Sequence, residues 1–326
     1  MPAYKCGMHA CNPDGVAMKP APFGYHRVFS AAEAVDHLSA YEGTAQVLAG
    51  GQSLAPMLNM RLLRPDALID INGIEDLAAV RTDDEVAVLG ALVRHATVEF
   101  SPTIAARLPL LTRVAGYIGD RQVRNRGTIG GSLAHGDPTG EFPLASLVLE
   151  ASVRIAGPAG HRQVRVAELY SASYTTVLNP FEVLAEITFP ANPAYCAFAE
   201  CCRRHNDFAV VSAACVGDRS PDGRWRGVRI GLGGVAGVPV LAERAGELLD
   251  GSDLADRDIA VAAQAVLEVI DPPDDIRASA AYRRHLAPVY VRRVLTEMRD
   301  GASTMPDRSQ DTTPATNADA KPEAQR

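Results

Sequence analysis

Two glycine pairs constrain this chain more than any other feature. Val47-Leu48-Ala49-Gly50-Gly51-Gln52-Ser53-Leu54 and Thr128-Ile129-Gly130-Gly131-Ser132 each place adjacent glycines beside a hydroxyl residue, at the end of an apolar run. Adjacent glycines let the main chain turn sharply and approach a ligand with no Cβ in the way. N–H groups freed at such a corner can converge on one anion. The first corner runs into residues 56–63, which read as a short helix whose N-terminus adds positive partial charge at the same spot. Each corner alone more often marks a plain hairpin or loop bend. The two together suggest a diphosphate gripped between two subdomains.

Composition bounds the remainder. The chain has 326 residues, 47% of them hydrophobic, and a net charge of −7. That is enough for two or three compact units. Mixed charge with no basic stripe argues against nucleic acid as a partner, and no apolar run is long enough to span a bilayer. The six cysteines form no C-x-x-C and no iron–sulfur or zinc spacing, so free thiols in a reducing cytoplasm are expected. Cys6, His9 and Cys11 are too few to make a metal site without a scaffold. None of the eight histidines has a nucleophile or a metal-binding partner at a useful spacing. Neither a catalytic residue nor a metal ligand is expected in this chain.

Read in order, residues 1–17 are expected to be either an unusual, disordered extension or the product of an upstream start codon, and 18–73 a small α/β unit. Ser30-Ala31-Ala32-Glu33 is a capping box opening a helix to about Tyr41. Residues 45–49 read as a buried strand delivering the first corner, and 68–71 as another strand. A second subdomain covers 74–192, with a strand at 85–90, helices near 97–99 and 108–118, a loop over 120–132, a packed segment at 143–149, paired strands at 152–156 and 163–166, and a strand at 182–190. From 193 to 301 the pattern becomes antiparallel strands (194–200, 209–217, 225–234) followed by helices (240–249, 256–269, 280–298), an α+β layer. Residues 302–326 are rich in Ser, Thr, Pro and Asp and are expected to be disordered.

Gly231-Leu232-Gly233-Gly234-Val235-Ala236 matches a dinucleotide turn by spacing, but Val238-Pro239 follows and no second parallel strand with a terminal acid does. Its glycines are read as letting a strand end and pack closely.

The corners carry a resemblance. Ala49-Gly50-Gly51-Gln52-Ser53-Leu54 with Arg61-Leu62-Leu63-Arg64-Pro65 and Leu68-Ile69-Asp70-Ile71, and the run from Val123 through Thr128-Ile129-Gly130-Gly131-Ser132-Leu133-Ala134-His135-Gly136-Asp137-Pro138, resemble the two flavin loops of the FAD-binding medium subunits of molybdenum hydroxylases. The similarity runs from about Met18 to about Gly301. It implies an α+β fold: a two-subdomain FAD-binding domain of the PCMH type, similar to vanillyl-alcohol oxidase, followed by a C-terminal domain of antiparallel sheet and helices. It implies noncovalent FAD here, and partner subunits: a large one with molybdopterin and a small one with [2Fe-2S] clusters. Electrons would pass from the clusters through FAD to NAD, quinone, oxygen or another carrier.

The resemblance also implies site roles. Gly50-Gly51 and Gly130-Gly131 would hold the diphosphate, with Ser53, Thr128 and Ser132 donating to it. Ile118, Ile129 and Leu184 would line the flavin, and Asp137 and Glu141 would accept from ribityl, ribose or adenine. A helix N-cap is the plain alternative for Asp137, and loop packing the plain alternative for His135. Arg203-Arg204-His205-Asn206-Asp207-Phe208-Ala209 resembles a family segment near the flavin or the donor subunit, but the favoured reading is a salt-bridged turn between strands. Ala199-Glu200-Cys201-Cys202 departs from relatives that carry a lysine there. A stand-alone flavoenzyme of the same fold, like UDP-N-acetylmuramate dehydrogenase, and a nucleotide-binding protein without redox activity are the alternatives.

Overall fold

The computed structural model describes residues 19–301 except 84, 192 and 205. The N-terminal extension with Cys6, His9 and Cys11, and the C-terminal tail, lie outside the described residues.

The first unit is a three-stranded parallel sheet in the order β1 (Gly24–Arg27), β3 (Ala67–Asp70), β2 (Gln46–Leu48). Helix α1 (Ala31–Ala40) follows β1. Ser30 Oγ accepts the Glu33 N–H at 3.1 Å while the Glu33 carboxylate accepts the Phe29 N–H at 2.8 Å, a reciprocal cap. Strand β2 was expected to be buried; it is an edge strand, and Gln46 is exposed. Helix α2 (Leu54–Asn59) is shorter than the pattern over 56–63 suggested. Arg61 takes the left-handed conformation (φ 56°) and ends it.

The second unit is an antiparallel sheet in the order β4 (Val80–Thr82), β5 (Val86–Gly90), β10 (Val183–Pro190), β6 (Ser152–Gly157), β7 (Gly160–Arg165). Six helices lie between β5 and β6: α3 (His95–Phe100), α4 (Pro102–Arg107), α5 (Pro109–Ala115), α6 (Arg121–Arg126), α7 (Ile129–His135) and α8 (Glu141–Val148). The segment 120–132 was expected to be a loop and is instead most of two capped helices. Asp120 accepts the Val123 N–H, and Thr128 accepts the Gly131 N–H. Short α9 (Val166–Leu169) and the small hairpin β8 (Tyr170–Ala172) with β9 (Thr175–Thr176) complete the unit. Leu89, Leu110, Val114, Ile129, Leu133, Phe142 and Ile187 build its core.

The third unit is an antiparallel sheet of β11 (Tyr195–Cys201), β12 (Val211–Arg219), β13 (Trp225–Gly233) and β14 (Val240–Leu241). Helices α10 (Glu243–Glu247), α11 (Asp256–Ala265) and α12 (Ala280–Gly301) follow. The stretch 240–249 was expected to be all helix, but it begins as β14. Side chains of α11 and α12 pack with Ala213, Trp225 and Ile230 into a second core. The other sheet face lies on the second unit: Phe198, Ala214 and Val216 belong to its core, and Gly231 leaves no room for a Cβ, which would sit 2.4 Å from Val148 Cγ2. That close approach is what the glycine run at 231–234 provides. The first unit likewise shares Leu77, Leu92, Val183 and Ala185 with the second.

Candidate functional site

The two glycine corners touch. Gly50 is buried, and a Cβ on it would lie 2.4 Å from Arg126 O and 2.8 Å from Gly127 Cα, main-chain atoms just before the second corner. Strand β2 delivers the first corner, and the N-terminus of α7 forms the second.

The corners differ in what they offer. Among the described residues, the N–H groups of Gly50, Gly51, Gln52 and Ser53 have no acceptor. Gln52 Nε2 donates to Gly50 O at 3.0 Å. In a planar trans peptide the C=O and the following N–H point oppositely, so this bond turns the Gly51 N–H the other way. Gly51 holds φ at 72°, the left-handed region open to glycine. Gln52 and Ser53 are exposed. This corner fits an anion.

At the second corner the expected donors are occupied. Ile129 N–H goes to Val93 O and Gly130 N–H to Ala91 O, both at 3.0 Å. Gly131 N–H goes to Thr128 Oγ1 at 3.1 Å. Gly130 permits close packing: a Cβ there would be 2.4 Å from the Ala91 Cβ. The second corner therefore braces the first, and its free polar groups are hydroxyls. Thr128 Oγ keeps its O–H, although the residue is only 2% exposed. Ser132 Oγ lies 3.1 Å from His95 Nε2. His95 sits edge-on to Phe142, and burial drives its pKa down to about 4, so it is neutral near pH 7.

The residues expected to line a flavin divide. Ile129 is 0% exposed and Leu184 5%, both inside the second unit's core. Their side chains pack within that core, so what they turn toward a ligand is chiefly backbone. Ile118 is half-buried and packs against the same core. In the first stretch, Val47, Leu48, Ala49 and Leu54 are half-buried around Gly50.

A second polar group lies where the second and third units meet. Asp137 Oδ1 accepts the Thr139 N–H at 2.8 Å and its O–H at 2.7 Å. It closes this turn and is not the N-cap of α8, a place taken by Gly140. The His135 ring is 5.2 Å from that of Tyr174, and burial lowers its pKa. Glu141 opens α8; burial, the Glu200 carboxylate and Asp137 push its pKa up to about 8. Glu200, on β11, is also raised by burial. It accepts Cys202 Sγ–H at 2.9 Å, and its other oxygen is buried with no partner. No metal-holding group of side chains occurs among the described residues. Among the described residues the turn at 203–209 holds no ion pair, in contrast to the salt-bridged turn anticipated: Arg277 lies over the Phe208 ring at 4.5 Å, and Arg203 reaches Ile276 O.

Glu141 makes stability depend on pH. Its carboxyl ionises at about 8 in the folded chain and near the ordinary 4.5 once unfolded. The folded chain keeps a proton that the unfolded chain releases. The stability from holding it is complete below pH 4.5 and is lost as pH rises to about 8. Glu141→Gln is neutral throughout. Urea unfolding at several pH values should find it close to wild type near pH 4.5 and more stable at pH 8; equal slopes for both proteins would refute this.

Residues 21–192 match the family described as the FAD binding domain in molybdopterin dehydrogenase, and 196–298 match the CO dehydrogenase flavoprotein C-terminal domain. The chain belongs to the FAD-binding medium subunits of molybdenum hydroxylases. This medium subunit is 37% identical over 282 residues to the 6-hydroxypseudooxynicotine dehydrogenase complex subunit alpha of Paenarthrobacter nicotinovorans, covering 86% of this chain and 95% of that one. It is 36% identical over 280 residues to the carbon monoxide dehydrogenase medium chain of Hydrogenophaga pseudoflava, covering 85% and 97%. Among solved structures it matches reconstituted CO dehydrogenase from Oligotropha carboxidovorans at a TM-score of 0.84 and 35% identity, covering 86% of this chain and 99% of that one. Quinoline 2-oxidoreductase from Pseudomonas putida 86 matches at 0.83 and 35%, covering 87% and 99%. The cofactor of this medium subunit is FAD, and it is an oxidoreductase component. Among the described residues no helix is long and apolar enough to cross a membrane.

Asn72, Arg94 and His95 went unnoticed in the sequence although they sit at the corners. Arg94-His95 is a polar pair after the apolar run 91–93, but nothing in its spacing ties it to Gly50 or Ser132.

Proposed function

We propose that this medium subunit relays electrons within a larger complex. They would arrive from [2Fe-2S] clusters on a small partner subunit, originate at a molybdopterin centre on a large one, and leave to an external acceptor. Bound FAD supplies the redox chemistry; the chain's own residues bind, orient and shield it. The carrying observation is the contact of Gly50 with Arg126–Gly127 beside four N–H groups lacking acceptors.

On this reading Gly50, Gly51, Gln52 and Ser53 hold the diphosphate through main-chain N–H groups, and Thr128 and Ser132 add hydroxyls from the facing corner. Gly130 and Gly131 keep that corner close. Asp137, Glu141 and Glu200 offer acceptors, or for a protonated Glu141 a donor, to hydroxyls and ring nitrogens. The described residues contain no C-x-x-C, which suits a chain that leaves cluster ligation to others. The relatives being named as dehydrogenase subunits favours the relay over a stand-alone flavoenzyme.

Affinity purification of the tagged chain from its native host tests this. FAD, molybdenum and iron should co-elute with two further polypeptides. A flavin-loaded chain that elutes alone and turns over a substrate by itself would overturn the relay.

A further inference from the structure

We infer that Arg94, through Asn72, is the positioning residue that fixes both glycine corners in the orientation that receives the FAD diphosphate. The inference rests on the reading that these corners hold it.

Arg94 follows β5, half-buried, and its backbone pairs with Thr128. One arm of its guanidinium donates to Arg126 O, the carbonyl against which Gly50 packs. Another donates to Asn72 Oδ1 at 2.6 Å. Asn72 Nδ2 donates in turn to Ala49 O at 2.9 Å and to Asp70. Asp70 also accepts from Tyr25 and from the Asn72 N–H, which hold its carboxyl below its ordinary range despite burial. One chain of side-chain bonds thus runs from a first-corner carbonyl to a second-corner carbonyl.

The geometry has a consequence for the N–H groups. Ala49 O and Gly50 N share one planar peptide, so drawing the carbonyl to Asn72 turns the Gly50 N–H away from it. Gln52 does the same for the next peptide. The clamp thereby pre-orients the donors of the open corner.

Charge points the same way. Among the described residues Arg94 forms no ion pair; it donates to two neutral oxygens, Arg126 O and Asn72 Oδ1. Burial and the neighbouring Arg126 disfavour its charge, with only Asp70 opposing them. Such a cation is well suited to a nearby dianion.

The test uses the full chain stripped of flavin and titrated with FAD by fluorescence. Arg94→Ala should weaken FAD binding about tenfold to a hundredfold, the range for losing charged hydrogen bonds. Arg94→Lys should recover little of this, because an ammonium lacks the fork. Asn72→Ala should weaken binding comparably, and the double variant should be no worse than the weaker single. Millimolar guanidinium ion should restore part of the affinity of Arg94→Ala, and the melting point of its flavin-free form should hardly move. FAD affinity within twofold of wild type in Arg94→Ala would overturn the inference. So would a parallel loss of flavin-free stability without guanidinium rescue. Failure of the wild-type chain itself to take up FAD would instead sink the reading of the corners.

Discussion

Gly50→Ala should leave a folded chain that loses most of its FAD. The added methyl would lie 2.4 Å from Arg126 O and 2.8 Å from Gly127 Cα. Both are main-chain atoms, so no side chain can swing aside, and the corners must separate. Overpacking of this kind costs about 1–3 kcal/mol, roughly a fivefold to more than hundredfold loss if it falls on binding. It should fall there because the N–H groups of Gly50, Gly51, Gln52 and Ser53 lie on one side of the contact and the Thr128 and Ser132 hydroxyls on the other. Neighbouring glycines give the contrast. A Cβ on Gly51 meets only Leu48 Cδ1 at 3.2 Å, so its cost is the φ of 72°. Gly130→Val would drive into Ala91 and strike the fold before the cofactor. The flavin-to-protein ratio after purification, with circular dichroism as a folding check, measures the effect. A Gly50→Ala chain with stoichiometric FAD would mean that the contact is not part of the binding site.

The signals that were legible in the sequence are local ones. The Ser30–Glu33 cap, the strand that ends at Pro190 and the glycine run at the end of β13 each depend on residues near in the chain, and each forms as its pattern dictates. The corners were legible as glycine pairs. Their division of labour was not, because it depends on carbonyls far away. Val93 and Ala91 take the N–H groups of Ile129 and Gly130, and no spacing within 128–132 announces that. Helices α6 and α7 were missed for a related reason. Glycine is a poor helix former, so Gly130-Gly131 reads as loop, yet the Thr128 cap and the cover of Ala91 outweigh propensity. Signals at Asp120 and Thr128, each a capping residue three before a satisfied N–H, were present in the sequence. The burial of Ile129 follows from the same helix, which turns that side chain into the core.

Arg283→Ala should be among the most destabilising single changes in the chain, by about 3–5 kcal/mol, the range for breaking a buried charged network. Arg283 lies on α12 and is 1% exposed. It donates to Val210 O, to Gly234 O at 2.9 Å and to Asp275 at 2.8 Å. Alanine would leave two inward-facing carbonyls without their donor and open a cavity under the sheet. Asp275→Asn should also destabilise, because it leaves the buried guanidinium without its carboxylate, but by less than Arg283→Ala, since both carbonyl bonds survive. The damage should also reach the cofactor. Gly234 holds φ at 72° and donates its N–H to Pro138 O at 2.9 Å, next to the turn built on Asp137. Loosening Gly234 therefore loosens the segment that joins the second corner to Glu141. Urea unfolding followed by both circular dichroism and flavin release should show the two transitions shifted together to lower urea in Arg283→Ala. A shift below about 1 kcal/mol would show that the buried guanidinium is dispensable. A lost fold with flavin release unchanged would show that the third unit does not hold the second corner in place.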